Sequence, residues 1–253
     1  NILVTFSDGT QAEAVIKQAD RQTGLAIISV EIADVLEETR GKVEKATLGS
    51  SNMRNPVGIP VVALGCPMGV VGSAGYGMIT ASGSVLNKVD ANYKLLTTDI
   101  YGSPESEGVL FNMQGQIVGI ITSDRISPDM KNAVTAIGIS ELRKLIENMS
   151  NGKEPAYMGI SGMDVTPEAN QEMGVPFGAY VGEVDMNSPA MLGGIQRGDV
   201  IVEIDDSSIE NFNNYAATLL RLEAGATITV TVQRLSQNSY REMEMEITLG
   251  TVD

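Results

Sequence analysis

Apolar and polar positions alternate in short runs through the first half of the chain. Ile2 to Phe6, Ala12 to Ala19 and Leu25 to Val30 each read as a strand, and the turn Ser7-Asp8-Gly9 separates the first two. The rhythm continues through Val61 to Leu64, Gly75 to Ser82, Lys94 to Thr98, Gly108 to Asn112 and Ile117 to Thr122, which predicts a β-barrel or sandwich. The period then changes. Leu142, Leu145, Ile146 and Met149 fall on one face at helical spacing, predicting a helix over Ser140 to Met149 with Ser140 as its N-cap. Asn151-Gly152-Lys153-Glu154-Pro155 reads as a linker, dividing residues 1–150 from residues 151–253. Beyond it, strand-like runs (Ala179 to Val184, Val200 to Ile204, Thr227 to Gln233, Glu242 to Leu249) flank one helical segment. Its apolar face carries Phe212, Tyr215, Ala216, Leu219 and Leu222, and Ala224-Gly225 should end it.

Composition narrows the chemistry. The 253 residues include no His and one Cys, Cys66, so the chain offers no Zn site of nitrogen and sulfur ligands and no internal disulfide. Nor can it assemble a Ser-His-Asp or Cys-His pair from its own residues. Cys66 reads as a small buried hydrophobe. A net charge of −15 argues against nucleic acid as a partner. The acidity is uneven: residues 1–154 carry 13 basic and 17 acidic side chains, residues 155–253 carry 4 and 15. The 33 residues from Asn55 to Asn87 are uncharged but contain three Pro and seven Gly, which suits strands and turns rather than a membrane helix. No signal peptide is evident, and the opening at Asn1 without Met suggests a processed or excised chain. No cofactor or metal is expected; Asp205-Asp206 reads as a solvated turn rather than a Ca²⁺ site.

Several motifs in order resemble the HtrA (Deg) serine proteases. They are Thr5-Phe6-Ser7-Asp8-Gly9, then Asp20 with Thr23-Gly24-Leu25-Ala26-Ile27-Ile28, then Leu64-Gly65-Cys66-Pro67-Met68-Gly69 and Gly77-Met78-Ile79. Thr98-Asp99 follows, leading to Ser106-Glu107-Gly108-Val109-Leu110-Phe111-Asn112, with Gly115-Gln116-Ile117-Val118-Gly119-Ile120 after it. Ala136-Ile137-Gly138-Ile139 and the approach to Tyr157-Met158-Gly159-Ile160 resemble the family's junction with its PDZ domain. Ser188-Pro189-Ala190, Gly193-Gly194-Ile195, Arg197-Gly198-Asp199-Val200-Ile201 and Gly225-Ala226-Thr227-Ile228 resemble that domain's body. The resemblance implies a mainly β fold: a trypsin-like double β-barrel, its first barrel incomplete, followed by an α+β PDZ domain.

The same resemblance implies a degenerate catalytic site. The family's catalytic His lies in a segment preceding the strand that begins here at Ile2, and Gly24 stands where the triad Asp is expected. Ser106 holds the nucleophile position, but its loop reads Pro104-Glu105-Ser106-Glu107-Gly108 where the family has Gly-Asn-Ser-Gly-Gly. Pro104 occupies the position whose N–H should help stabilise the oxyanion, and proline has no N–H. Glu107 adds negative charge where negative charge must develop. Lys88 or Lys94 as a substitute base gains no support from spacing.

The second unit carries the binding signal. Tyr157-Met158-Gly159-Ile160 resembles the loop with which PDZ domains hold a terminal carboxylate in successive backbone N–H groups. A peptide would then add as a strand beside the segment starting at Ile160, in a groove walled by the helix that carries Tyr215 and Leu219. The expected function is that of a pseudoprotease binding peptide C-termini or unfolded polypeptide in extracytoplasmic quality control. The alternative is an active serine endopeptidase whose His precedes Asn1. By resemblance, trimers and a membrane tether in a preceding segment are further expectations, and ligands with Lys or Arg upstream of their C-terminus should suit the acidic second unit.

Overall fold

The computed structural model describes residues 2–124 and 132–251. They divide into two compact units, one formed by residues 1–84 and 94–152, the other by residues 85–93 and 153–253. The second unit thus includes Val85–Tyr93, a segment far from it in sequence.

In the first unit, β1 (Ile2–Thr5), β2 (Gln11–Asp20) and β3 (Leu25–Val30) form an antiparallel three-stranded sheet. Period-two alternation sorts its faces: Ala12 and Ala14 are buried, whereas Leu3 and Val15, on the opposite face, are exposed. A short turn of 3₁₀ helix and α1 (Glu37–Arg40) follow. A closed six-stranded barrel is built from β4 (Pro60–Cys66), β5 (Ser73–Lys88), β6 (Ala91–Tyr101), β7 (Glu107–Asn112), β8 (Ile117–Ile121) and β9 (Ala133–Gly138), in the order β4-β5-β6-β9-β8-β7. Closure removes the exposed edges that make isolated sheets sticky. Val61, Ala63, Ile79, Leu110, Val134 and Ala136 fill its interior.

One strand pair in the barrel depends on glycine. Gly108 of β7 has a φ of 129°, and a Cβ there would lie 2.1 Å from the Leu64 carbonyl oxygen in β4. Only a residue without a side chain lets β4 and β7 approach this closely. That approach fixes the chain just after Ser106.

The helix α2 (Ile139–Ser150) buries Leu142, Leu145 and Met149 against β2, β8 and β9, as the periodicity predicts. Its N-cap is Gly138 rather than Ser140. The Ser140 hydroxyl instead accepts from the Ser51 N–H at 2.9 Å, while the Ser140 N–H donates to the Ser51 hydroxyl at 3.0 Å. A tertiary partner has thus displaced the local cap. Asn151 and Gly152 close the helix through bonds to the carbonyls of Glu147 and Met149.

The second unit contains β10 (Ala156–Tyr157), β11 (Ile160–Asp164), α3 (Pro167–Met173), β12 (Ala179–Val184), α4 (Pro189–Gly193), β13 (Val200–Ile204), β14 (Ser207–Ser208), α5 (Phe212–Leu219), β15 (Thr227–Ser236), β16 (Ser239–Thr248) and β17 (Gly250–Thr251). Its main sheet runs β11-β12-β13-β15-β16, so β11 lies at an edge. The core collects Ile160, Val181, Ile201, Phe212, Tyr215, Leu219, Val230 and Ile247. The helix α5 ends at Leu219, earlier than its apolar spacing suggests, and Ala224-Gly225 belong to the turn into β15. Helices α3 and α4 are not evident from periodicity, being only seven and five residues long. Each is set by end signals: Thr166 or Ser188 as N-cap, Pro in the first turn, and left-handed Gly174 or Gly194 at the C-cap.

The loop after β1 is held by Asp8. Its carboxylate accepts from the Thr10 N–H at 3.0 Å, the Thr10 hydroxyl at 2.7 Å and the Thr39 hydroxyl at 2.8 Å. These bonds, led by those from Thr10, hold its carboxyl at about 2, below the usual 3.8. A depressed folded-state pKa contributes stability above the unfolded value that is lost as pH falls through the folded one. The melting temperature of Asp8→Ala should therefore lie below that of the parent at neutral pH, and the gap should close between pH 4 and pH 2, as read by thermal denaturation across that range.

Candidate functional site

The first site predicted from sequence surrounds Ser106, in the turn between β6 and β7. The hydroxyl is buried, at 3% exposure, and its bonds stay within the turn and its neighbour. The Ser106 Oγ accepts from the Ser103 N–H at 2.8 Å, and it can donate to the carbonyl oxygen of Pro67 or of Ser103. The Ser106 N–H donates to the Ser103 carbonyl at 3.2 Å, and the Glu105 N–H donates to the Ser103 hydroxyl at 3.1 Å. Pro104, exposed, has no N–H to offer. An oxyanion hole needs N–H groups that converge on one empty point. Here each is spent on closing a turn.

Gly24 lies elsewhere. It sits at a φ of 72° in the turn between β2 and β3, where no atom falls within 4 Å of the position a Cβ would take. The turn is held by Asp20, whose carboxylate accepts from the Thr23 N–H and hydroxyl. Lys94 lines a separate cavity of about 320 Å³ with Arg54, Leu96 and Glu141, and Ser106 is not among its walls. Burial pushes the Glu141 carboxyl up, and the Lys94 charge opposes the shift. Cys66, expected to be buried, is half-exposed at the end of β4. Asp205 forms a turn, accepting from the Thr229 N–H through its side chain. No cluster of three or more metal-ligating side chains occurs among the described residues.

The second predicted site is assembled. Met158 and Ile160 are fully buried, and Gly159 has a φ of 90°, where a Cβ would lie 2.3 Å from the Ser188 Cβ. The carbonyls of this loop point into the unit: Met158 accepts from the Ala190 N–H and Gly159 from the Asp185 N–H, both at 2.9 Å. Their N–H groups therefore converge on the opposite side, making a nest for an anion.

The anion in it is the side chain of Asp90. The N–H groups of Met158 and Gly159 donate to its Oδ2 at 2.8 Å each, and that of Ile160 donates to Oδ1 at 3.0 Å. The Tyr215 hydroxyl donates to Oδ1 at 2.5 Å. The Asp90 N–H in turn donates to the Ile160 carbonyl at 2.7 Å, and the Asn92 side-chain amide donates to the Gly162 carbonyl at 3.1 Å. Burial pushes the Asp90 carboxyl up, while Tyr215 and the three backbone donors pull it back. Burial next to this carboxylate raises the Tyr215 hydroxyl well above the ordinary tyrosine value. Tyr157 donates to Asp185 at 2.9 Å and is raised as well, by burial first. Leu219 packs in the same core as Tyr215.

Thus Tyr157, Met158, Gly159, Ile160, Tyr215 and Leu219 are brought together, and Asp90 is the residue that sequence reasoning missed. Its signal is slight, an Asp in a hairpin turn with φ at 58°, a conformation that Asp tolerates better than most residues. Arg234 was missed too. It makes a bidentate pair with buried Asp199, both bonds 2.7 Å, and a third bond to the Gly194 carbonyl. The pair braces the turn from Gly194 to Asp199.

A family profile for the trypsin-like peptidase domain matches residues 1–120, and one for the PDZ domain matches residues 180–234. A probable periplasmic serine endoprotease DegP-like of Halomonas elongata is 26% identical over 92% of this chain and 48% of its own length. A protein of the same description from Pseudomonas putida (strain GB-1) is 30% identical over 82% of this chain and 43% of its own. The solved structure described as HtrA-type protease AlgW with tripeptide superposes with a TM-score of 0.67 at 25% identity, covering 99% of this chain and 81% of that one. The chain spans about half the length of the curated relatives it matches.

A nucleophilic serine is exposed and replaceable, whereas a serine that knits a turn is not. Ser106→Ala should lower stability by about 1–3 kcal/mol through its unpaired partners. Urea midpoints of parent and variant measure this; an unchanged or raised midpoint would contradict a structural role.

Proposed function

This chain belongs to the HtrA family, with a trypsin-like peptidase domain followed by a PDZ domain, and from that membership we propose that it acts as a pseudoprotease. In this reading the second unit recognises peptides by their carboxylate, and the peptidase fold serves as scaffold. The observation that carries it is the Ser106 turn, whose hydroxyl and N–H are both engaged inside the fold.

Magnitudes support the reading. Loss of one oxyanion donor costs on the order of 100- to 1,000-fold in turnover. Loss of a triad's general base costs about a million-fold. Pro104 removes a donor, Gly24 removes the carboxylate that would orient a base, and Glu107 is exposed beside the serine. All three lie within the chain and stand whatever precedes Asn1.

The binding side of the proposal rests on the nest at residues 158–160 and the edge strand β11 beside it. An extended peptide adds to such an edge through main-chain bonds. The relatives' periplasmic names support an extracytoplasmic setting, and peptide C-termini or unfolded polypeptide are the ligands of this reading. Ligands carrying Lys or Arg before the C-terminus suit the second unit's acidic balance.

The full-length protein, incubated with casein and with a fluorophosphonate probe beside its Ser106→Ala variant, should show neither Ser106-dependent cleavage nor labelling. Cleavage abolished by that substitution would instead establish the serine endopeptidase.

A further inference from the structure

The nest at residues 158–160 is a receptor for a carboxylate, and Val85–Tyr93 brings one to it within the second unit. The likeness to a bound peptide extends beyond the carboxylate. The Asp90 N–H bonds the Ile160 carbonyl, the first acceptor of the β11 edge, and the Asn92 amide takes the Gly162 carbonyl two residues on. Both outward acceptors alternate as they would for an added strand. The site is fully served: both carboxylate oxygens accept two donors each, and among the described residues these donors are three backbone N–H groups and the Tyr215 hydroxyl. Asp90 is 8% exposed.

We propose that Asp90 is an internal ligand of the carboxylate-binding loop: residues 90–92 occupy the place of a peptide C-terminus, and an outside carboxylate enters only when they withdraw. The inference deepens the peptide-binding reading and rests on it solely for the identity of the outside ligand. Tethering raises the local concentration of this carboxylate far above that of a free peptide. The apparent affinity for peptide falls by the fraction of molecules whose loop is vacant. Tyr215 senses the exchange, since its buried hydroxyl has Asp90 as its acceptor.

The test uses the full chain with Asp90→Gly and Asp90→Asn. Glycine accepts the positive φ that alanine would strain, and asparagine keeps the shape with one acceptor oxygen fewer. Amide exchange at Met158, Gly159 and Ile160 is followed with and without excess acetate, with amides of β13 and β15 reporting on the fold. In both variants exchange at the three amides should quicken by on the order of tenfold or more, and acetate should slow it again, while β13 and β15 stay protected. A fluorescein-labelled decapeptide mixture, randomised at its last four positions, is then titrated as free acid and as C-terminal amide. The free acid should bind Asp90→Gly on the order of tenfold more tightly than the parent, and the amide should show no such gain.

Unchanged exchange at residues 158–160 in a variant with intact β13 and β15 overturns the inference, as does exchange that acetate fails to slow. Equal affinity of parent and variant for the free acid also overturns it and leaves the peptide reading standing. If neither peptide form binds the variant while the exchange pattern and acetate effect hold, the internal ligand stands and the peptide reading falls.

Discussion

A buried N–H without an acceptor costs more than a satisfied hydrogen bond contributes, and residues 158–160 present three of them in one place. The geometry that makes them converge is not optional. The carbonyls of Met158 and Gly159 are tied to Ala190 and Asp185, and Ser188, buried beneath Gly159, caps α4 in the same stretch. With the peptide planes fixed from behind, the donors must meet something in front. Asp90 meets them, and much of the second unit's arrangement around Tyr215 and the β11 edge follows from that choice.

The same accounting governs the Ser106 turn. A peptidase of this fold keeps two N–H groups free to meet the developing oxyanion and holds its serine hydroxyl against a general base. Here the Ser106 N–H and hydroxyl bond to Ser103 and Pro67, and Pro104 has no N–H to offer. Both places where this architecture would hold a negative oxygen are thus satisfied from within, but by different means. The serine turn is closed by Ser103, three residues away, and by the Pro67 carbonyl of the neighbouring turn. The carboxylate nest is closed by a residue some seventy positions away in sequence, on a hairpin tip.

Sequence legibility followed the range of the interactions. The buried face of α2, five of the six barrel strands and the missing N–H of Pro104 depend on spacing or on one residue's covalent structure and can be read directly, whereas β9 (Ala133–Gly138) is not among the predicted runs. The cap of α2 could not, because Ser51 offers Ser140 a tertiary partner that competes with the local one. Helices α3 and α4 are too short to show a period, although their caps and prolines were present in the sequence. Asp90 was the hardest. Lys88-Val89-Asp90-Ala91-Asn92 has the composition of any solvated hairpin turn. Its role depends on Val85–Tyr93 clustering with residues 153–253, which no local pattern encodes.

Charge explains why a carboxylate in this nest is better supplied by the chain than by solution. Residues 155–253 carry 15 acidic and 4 basic side chains, so a free anionic terminus approaches against a repulsive field. Asp90 meets that field once, on folding, and its desolvation is offset by four donors rather than by a cation. In the proposed reading a peptide would overcome the field at each encounter and displace Asp90 as well. Basic residues upstream of its terminus reduce the first cost without touching the second. In that reading selectivity for charge and selectivity for a free carboxylate are separable in this unit, the former set by its surface and the latter by whether the hairpin tip is in place.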